Sequence, residues 1–271
     1  MFKRSVDAVR EKTPLVHNIT NYVTVNDCAN ILLACGGAPI MADDIGEVEE
    51  ITSICNTLVI NIGTLNARTI DSMICAGQKA NALGHPVILD PVGAGASLLR
   101  TETVFSLLKA VKFSVIRGNI SEIKTVYAGS GTTKGVDADE ADVVRCENLD
   151  ETLAFAKELS GRTGAVIAIT GAIDIVASAE KAYVIRNGHP MMSRITGTGC
   201  MLTSVIGAYC GTGEPVLEAT AAAVAAMGLC GELAAGKAET LGTGSFRVAL
   251  IDAMSQMTGA SLMEGIQVES R

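Results

Sequence analysis

Thr57-Leu-Val-Ile-Asn-Ile-Gly63 and Pro86-Val-Ile-Leu-Asp-Pro91 are short runs rich in apolar residues, with little polar alternation. A strand that is apolar at successive positions has both faces covered, which marks a parallel sheet between helical layers. Between the two runs, Arg68 to Leu83 has helical spacing and meets Gly84, a helix stop. The alternation extends outward in both directions. Upstream, Pro14 to Thr20 reads as a strand and about Asn26 to Cys35 as a helix. Downstream come a helix from about Glu102 to Val111, the strand Phe113 to Arg117, a short helix and a polar loop. Asp150 then caps a helix running to about Ser160, followed by the strand Ala165 to Thr170. A β-meander through Ile175-Val-Ala177 and Ala182 to Ile185 comes next, and the remainder reads mainly as helix. The expected fold is α/β, a three-layer sandwich with a mainly parallel central sheet. With no linker or low-complexity segment, residues 1–271 read as one domain.

Composition narrows the function. The chain of 271 residues carries 21 Lys and Arg against 29 Asp and Glu, a net charge of −8. An acidic balance argues against nucleic acid, whose phosphates need clustered cations. Aromatics at 3% and the lack of tryptophan leave no base-stacking platform. With 48% apolar and 18% charged residues, the chain is built for burial rather than disorder. The charged N-terminus has no apolar run of a signal peptide. Ala219 to Gly231 is apolar throughout but closed by Glu218 and Glu232, shorter than the ~20 residues a membrane span needs. The eight cysteines, at 28, 35, 55, 75, 146, 200, 210 and 230, form no CxxC spacing. Free, mostly buried thiols in a reducing cytoplasm are the economical reading.

In open α/β sheets, ligands bind beyond the carboxyl ends of the strands. Those ends are Asn18-Ile-Thr-Asn21, Asn61-Ile-Gly-Thr64, Asp90-Pro-Val-Gly93, Arg117-Gly-Asn119 and Thr170-Gly-Ala172, all polar or glycine-bearing. Neither GxxxxGK[ST] nor GxGxxG occurs. The strongest local feature is Ile195-Thr-Gly-Thr-Gly-Cys200-Met-Leu-Thr-Ser-Val-Ile-Gly207, a Thr/Gly turn entering an apolar helix. Amides at such a helix start suit a phosphate or a transferring phosphoryl group. Cys200 falls in that first turn, where the helix dipole is expected to lower the thiol pKa and favour thiolate. It reads equally as a small residue chosen for size. Asn119 and Glu122 offer amide and carboxylate oxygens of a kind Mg²⁺ takes, or simply start a surface helix. Arg117 is suited to a phosphate. Asp90 is either a crevice carboxylate or a cap on the following turn. Glycines 93, 95, 197 and 199 are expected to hold backbone close to phosphates. His17, alone on its strand, reads as structural.

Together these residues resemble the ribokinase-like superfamily, and within it the hydroxyethylthiazole kinase family. The resemblance rests on Pro14-Leu-Val-His-Asn-Ile-Thr-Asn21-Tyr-Val, Gly37-Ala-Pro-Ile-Met41-Ala, Leu89-Asp-Pro-Val-Gly-Ala-Gly95, Arg117-Gly-Asn-Ile-Ser-Glu122 and Thr196-Gly-Thr-Gly-Cys200. It implies phosphorylation of 4-methyl-5-(2-hydroxyethyl)thiazole by ATP, with Mg²⁺. By resemblance Met41 and Gly197 contact the thiazole with Asn21 nearby, Arg117 and Thr170 contact ATP, and Asp90 and Glu122 hold Mg²⁺ and phosphates. Gly197 and Gly199 stabilise the moving phosphoryl. Cys200 stands where most ribokinase-like enzymes place the catalytic Asp. The family resemblance also implies a homotrimer with sites between subunits. Pro215 to Ala235, apolar on nearly every face, either serves such an interface or, the favoured reading, packs within its own subunit. The rival readings are a different ribokinase-like enzyme, such as a hydroxymethylpyrimidine kinase or a hydratase-repair dehydratase, and an inactive nucleotide-binding regulator.

Overall fold

The computed structural model describes residues 2–128 and 144–271. The polar loop expected after the short helix, and the side chain of Cys146, lie outside the described residues. In chain order the elements are α1 (Phe2–Lys12), β1 (Leu15–Ile19), α2 (Val25–Cys35), β2 (Ala38–Met41), α3 (Val48–Ile54), β3 (Thr57–Asn61), α4 (Ala67–Leu83) and β4 (Val87–Asp90). They continue with α5 (Leu98–Ala110), β5 (Val115–Gly118), α6 (Ile120–Ala128), α7 (Leu149–Thr163), β6 (Val166–Ile169), β7 (Asp174–Ala177) and β8 (Ala182–Ile185). Four helices, α8 (Thr198–Cys210), α9 (Val216–Ala238), α10 (Thr243–Gln256) and α11 (Gly259–Gly265), precede the last strand, β9 (Val268–Ser270).

The strands form one sheet in the order β2-β1-β3-β4-β5-β6-β7-β8-β9. The first six are mutually parallel, and β7, β8 and β9 add antiparallel. Alternate residues of the central strands feed two cores. Val59, Ile88, Val115 and Val166 face the side covered by α1, α2, α8, α9 and α10. Leu58, Ile60, Leu89, Ile116 and Ile167 face the side of α3 to α7. The two-sided burial read from the β3 and β4 segments is thus the three-layer sandwich observed.

Several boundaries differ from the sequence reading. Ser97 caps α5 and starts it at Leu98, four residues earlier than read. Asp150 is not the cap of α7. Asn148 precedes that helix and Asp150 lies in its first turn, where a carboxylate still complements the dipole. The helix α1, the edge strand β2, the short helix α3 and the terminal strand β9 were not read from the sequence. In β2, Pro39 weakens the strand signal, and the sheet tolerates it because β2 is the edge strand. The apolar segment 216–238 is a single helix, long and apolar enough by composition to cross a membrane, yet mostly buried here. It packs on α1, α8, α10 and the strands β6 to β8 of its own chain, as the favoured reading expected.

The order places β2 and β3 on opposite sides of β1, so the chain leaving β1 and the chain leaving β3 diverge. That divergence opens a crevice at the carboxyl edge. Helix α8 packs against β1, β3 and β4. Gly207 permits the close approach: a Cβ there would lie 2.7 Å from Val59 Cγ2 and 3.1 Å from Val16 Cγ1.

Candidate active site

One face of α8 reads out the strand ends. Cys200, Thr203 and Ser204 follow the three- and four-residue spacing that aligns side chains along a helix. Ser204 Oγ donates to Asn18 Oδ1 at 3.1 Å, in the buried carboxyl half of β1. Thr203 Oγ1 donates to Asp90 Oδ2 at 2.8 Å, at the end of β4. The sulfur of Cys200 accepts from Asn21 Nδ2 and from Asn61 Nδ2, each at 3.3 Å. Asn61, the last residue of β3, also donates to Asp90 Oδ2 at 2.7 Å.

The remaining residues expected from sequence lie along the same edge. Met41 ends β2, partly exposed and in register with Asn18. Arg117, in β5, donates to Thr170 Oγ1 just beyond β6 and lies 3.6 Å from Asp90 Oδ1. Met41 and Arg117 are four strand steps apart in the sheet. At roughly 4.8 Å per step the edge between them is roughly 19 Å long. That length accommodates a small molecule and a polyphosphate end to end.

Over this edge α8 begins. Its N-cap, Gly197, is left-handed with φ +87°, and a Cβ there would meet Thr24 Cγ2 at 2.5 Å. No side chain caps the helix, so its first-turn amides are presented at the edge. Beside them lies Arg117: a Cβ on residue 199 would be 2.5 Å from its Nη1. The other two glycines behave differently from expectation. The amide of Gly93 donates to Glu122 Oε1 at 2.8 Å, and that of Gly95 to Thr101 Oγ1 at 3.0 Å. These donors are spent within the protein rather than held out to a ligand.

Asn119 and Glu122 form a reciprocal cap at the start of α6. Glu122 N–H donates to Asn119 Oδ1 and Asn119 N–H to Glu122 Oε2, both at 2.8 Å. Glu122 therefore ties the turn after β4 to the turn after β5, with a backbone donor on each oxygen. Burial pushes its carboxyl up to about 7, and the charge of Asp90 adds to this. Burial also pushes Asp90 up, against the pull of Arg117, Thr203 and Asn61. Asp90 Oδ1 and Arg117 Nε are buried without a hydrogen-bond partner. An open carboxylate oxygen beside a second buried carboxylate could hold a hard divalent cation, which commonly takes one or two protein carboxylates plus waters and phosphates.

The expectation of an activated thiolate at Cys200 is overturned. Burial pushes this thiol up to about 11, and the nearby charge of Asp90 raises it further. Thr24 and Arg117 pull the other way without offsetting that. His17 is structural as read: it is fully buried, with Nδ1 on Thr52 Oγ1 at 2.9 Å and Nε2 on the Ala42 carbonyl at 2.8 Å.

Sequence reasoning placed Asn61 at a strand end but not in the site. The structure supplies what the sequence does not display, a register in which Asn61 and Asp90 end neighbouring strands side by side. Asp174 was missed altogether. It sits across the turn from Thr170, accepting from Gly171 N–H at 2.8 Å. Burial pushes its carboxyl up to about 7, while the charge of Arg117 pulls it down.

Comparison with known proteins assigns the chain to a family. A family model described as the hydroxyethylthiazole kinase family matches residues 6–260. The chain is 60% identical over 272 residues to the hydroxyethylthiazole kinase of Clostridium acetobutylicum, covering 100% of each. It also matches the structure of a hydroxyethylthiazole kinase from Pyrococcus horikoshii OT3, with TM-score 0.89 and 34% identity, over 100% of this chain and 98% of that one. A ribokinase-like superfamily protein from Enterococcus faecalis V583 is only 13% identical, yet matches with TM-score 0.60 over 94% of this chain and 95% of its own. That last likeness is one of fold alone, and it agrees with the ribokinase-like fold that the motif resemblance implied. On the family match and the full-length identity, this chain belongs to the hydroxyethylthiazole kinase family.

Proposed function

We propose that this enzyme transfers the γ-phosphoryl group of ATP to the hydroxyl of 4-methyl-5-(2-hydroxyethyl)thiazole, in thiamin salvage. The observation that carries the reading is the convergence of Asn21, Asn61, Asp90 and Arg117 beneath the start of α8. In this reading the thiazole lies at the end of the edge marked by Met41, Asn21 and Gly197. ATP lies at the end marked by Arg117, Thr170 and Asp90, so the two reactants meet below Gly199 and Cys200. Phosphoryl transfer is catalysed mainly by alignment and charge stabilisation. The guanidinium of Arg117 and the first amides of α8 supply positive character where charge moves. Cys200 adjoins the acceptor hydroxyl. A thiol held at about 11 is a poor base at neutral pH, so its proton-accepting role is secondary. Mg²⁺, when bound, neutralises charge on the polyphosphate; Asp90 and Glu122 would hold it, Asp90 through its open Oδ1.

We also infer a single domain, a cytoplasmic location and a homotrimer with sites between subunits. The described cysteines are free thiols, in keeping with a reducing compartment. Tyr22 and Ile45, in the turns after β1 and β2, are 80% and 49% exposed and suit cover by a neighbouring subunit. Light scattering should give a mass of three chains of 28.0 kDa.

The direct test follows ADP release from ATP with hydroxyethylthiazole, hydroxymethylpyrimidine or no acceptor. Turnover with the thiazole well above both other arms is expected. Turnover no greater than the no-acceptor control overturns the assignment.

A further inference from the structure

Two backbone amides dictate which way the carboxamides around Cys200 point. Gly63 N–H donates to Asn61 Oδ1 at 2.9 Å, so the Nδ2 group of Asn61 must face the other way. There it donates one hydrogen to Asp90 Oδ2 at 2.7 Å and the other to Cys200 Sγ at 3.3 Å. Thr24 N–H likewise donates to Asn21 Oδ1 at 3.0 Å, which turns Asn21 Nδ2 toward the sulfur. The two carboxamides are also joined, Asn21 Nδ2 to Asn61 Oδ1 at 3.0 Å. Asn61 is 1% exposed and Asn21 3%, so neither exchanges these partners for water. Thus position 200 is faced by N–H donors from both the β1 and the β3 ends. This is the polarity an anion requires, opposed by Asp90 on β4 and assisted by Arg117 on β5, with the thiol of Cys28 on α2 nearby.

We propose that Asn61 is a positioning residue of the phosphoryl transfer: a single amide fixes the Asp90 carboxylate and the sulfur of Cys200 together, and prepares position 200 for negative charge. The inference rests on the kinase reading above. At 1% exposure, Asn61 is placed to act through its two partners. A hydrogen bond from Asn61 is worth more when its acceptor is charged, so the residue's importance depends on what occupies position 200.

The test is a double-mutant cycle on the full-length enzyme with ATP, Mg²⁺ and hydroxyethylthiazole. Asn61→Asp keeps the shape and the acceptor for Gly63 but turns the donor facing Asp90 and Cys200 into an acceptor. It is expected to lower kcat at least about tenfold, with KM for ATP changed less than about threefold. Asn61→Ser, whose single short hydroxyl cannot donate to Asp90 and Cys200 together and adds no charge, lowers kcat in the same way and serves should Asn61→Asp not fold. In a Cys200→Asp background the loss caused by Asn61→Ser is expected to be at least about fivefold larger than in the wild type. Equal losses in the two backgrounds, or an unchanged kcat, overturn the proposal. A second readout needs no turnover: the pH midpoint for iodoacetamide alkylation of Cys200 should rise in Asn61→Ser. An unchanged or lower midpoint counts against the proposal. If the wild type fails to phosphorylate the thiazole, the kinase reading fails, and this midpoint alone judges the role of Asn61.

Discussion

Arg117 and Gly199 are fitted to one another: a Cβ on residue 199 would lie 2.5 Å from Nη1 and 2.7 Å from Nη2 of the guanidinium. The helix start that presents amides to a phosphoryl group and the cation that would share its charge therefore occupy adjoining space. Asp90 and Thr170 hold the other sides of the guanidinium. The start of α8, the end of β4 and the residue after β6 thus converge on one positive charge in a chain whose net charge is −8.

Gly199→Ala should displace Arg117 while leaving the helix intact, because alanine is favourable within α8. The expected result is a fall in kcat/KM for ATP of about 10- to 100-fold, corresponding to about 1.4 to 2.7 kcal/mol of lost transition-state stabilisation. The melting temperature should move by only a few degrees. Steady-state kinetics and a thermal melt check both halves, and a variant with unaltered kcat/KM would show that the fit has no catalytic consequence.

Cys200 is expected to matter less than its position suggests, since burial and Asp90 keep it protonated. Cys200→Ala should retain measurable turnover, with kcat reduced no more than about 100-fold. Cys200→Asp should equal or exceed the alanine variant, because a carboxylate there meets the two amide donors of Asn21 and Asn61. A loss beyond about 10⁴-fold in the alanine variant, above the usual range for general acid–base catalysis, argues for an essential base instead.

Asp174 predicts a pH dependence of stability. Its carboxyl is raised from 3.8 to about 7 by burial, so the folded state holds this proton more tightly than the unfolded state. The stability linked to it is fully present below the unfolded pKa and is lost as pH rises through about 7. Asp174→Asn keeps an oxygen for Gly171 N–H and removes the titration. Its melting temperature relative to the wild type should therefore rise between about pH 5 and about pH 8. Parallel melting profiles would contradict this.

How far the sequence carried is clearest from particular elements. The largely apolar runs of β3 and β4 pointed to the three-layer sandwich, because two-sided burial marks parallel strands between helical layers. Polar strand ends located the edge that bears the candidate site. What the sequence could not display was pairing across the sheet. Asn61 looked like any strand end until register set it beside Asp90 and packing set α8 above it. The dipole argument for Cys200 was local, whereas burial and Asp90, brought in by the fold, push the thiol the other way. Gly93 and Gly95 looked like phosphate-binding glycines, yet their amides are claimed by Glu122 and Thr101, residues distant or downstream in the chain. Helix α1 escaped notice because its buried side is only Ser5, Val6, Ala8 and Val9 in an otherwise charged segment.

The most direct test of the central claim is identification of the product by ³¹P NMR and mass spectrometry after incubation with ATP, Mg²⁺ and hydroxyethylthiazole. The account predicts a phosphate monoester on the side-chain hydroxyl of the thiazole, formed in step with ADP. Inorganic phosphate with unmodified thiazole would contradict it.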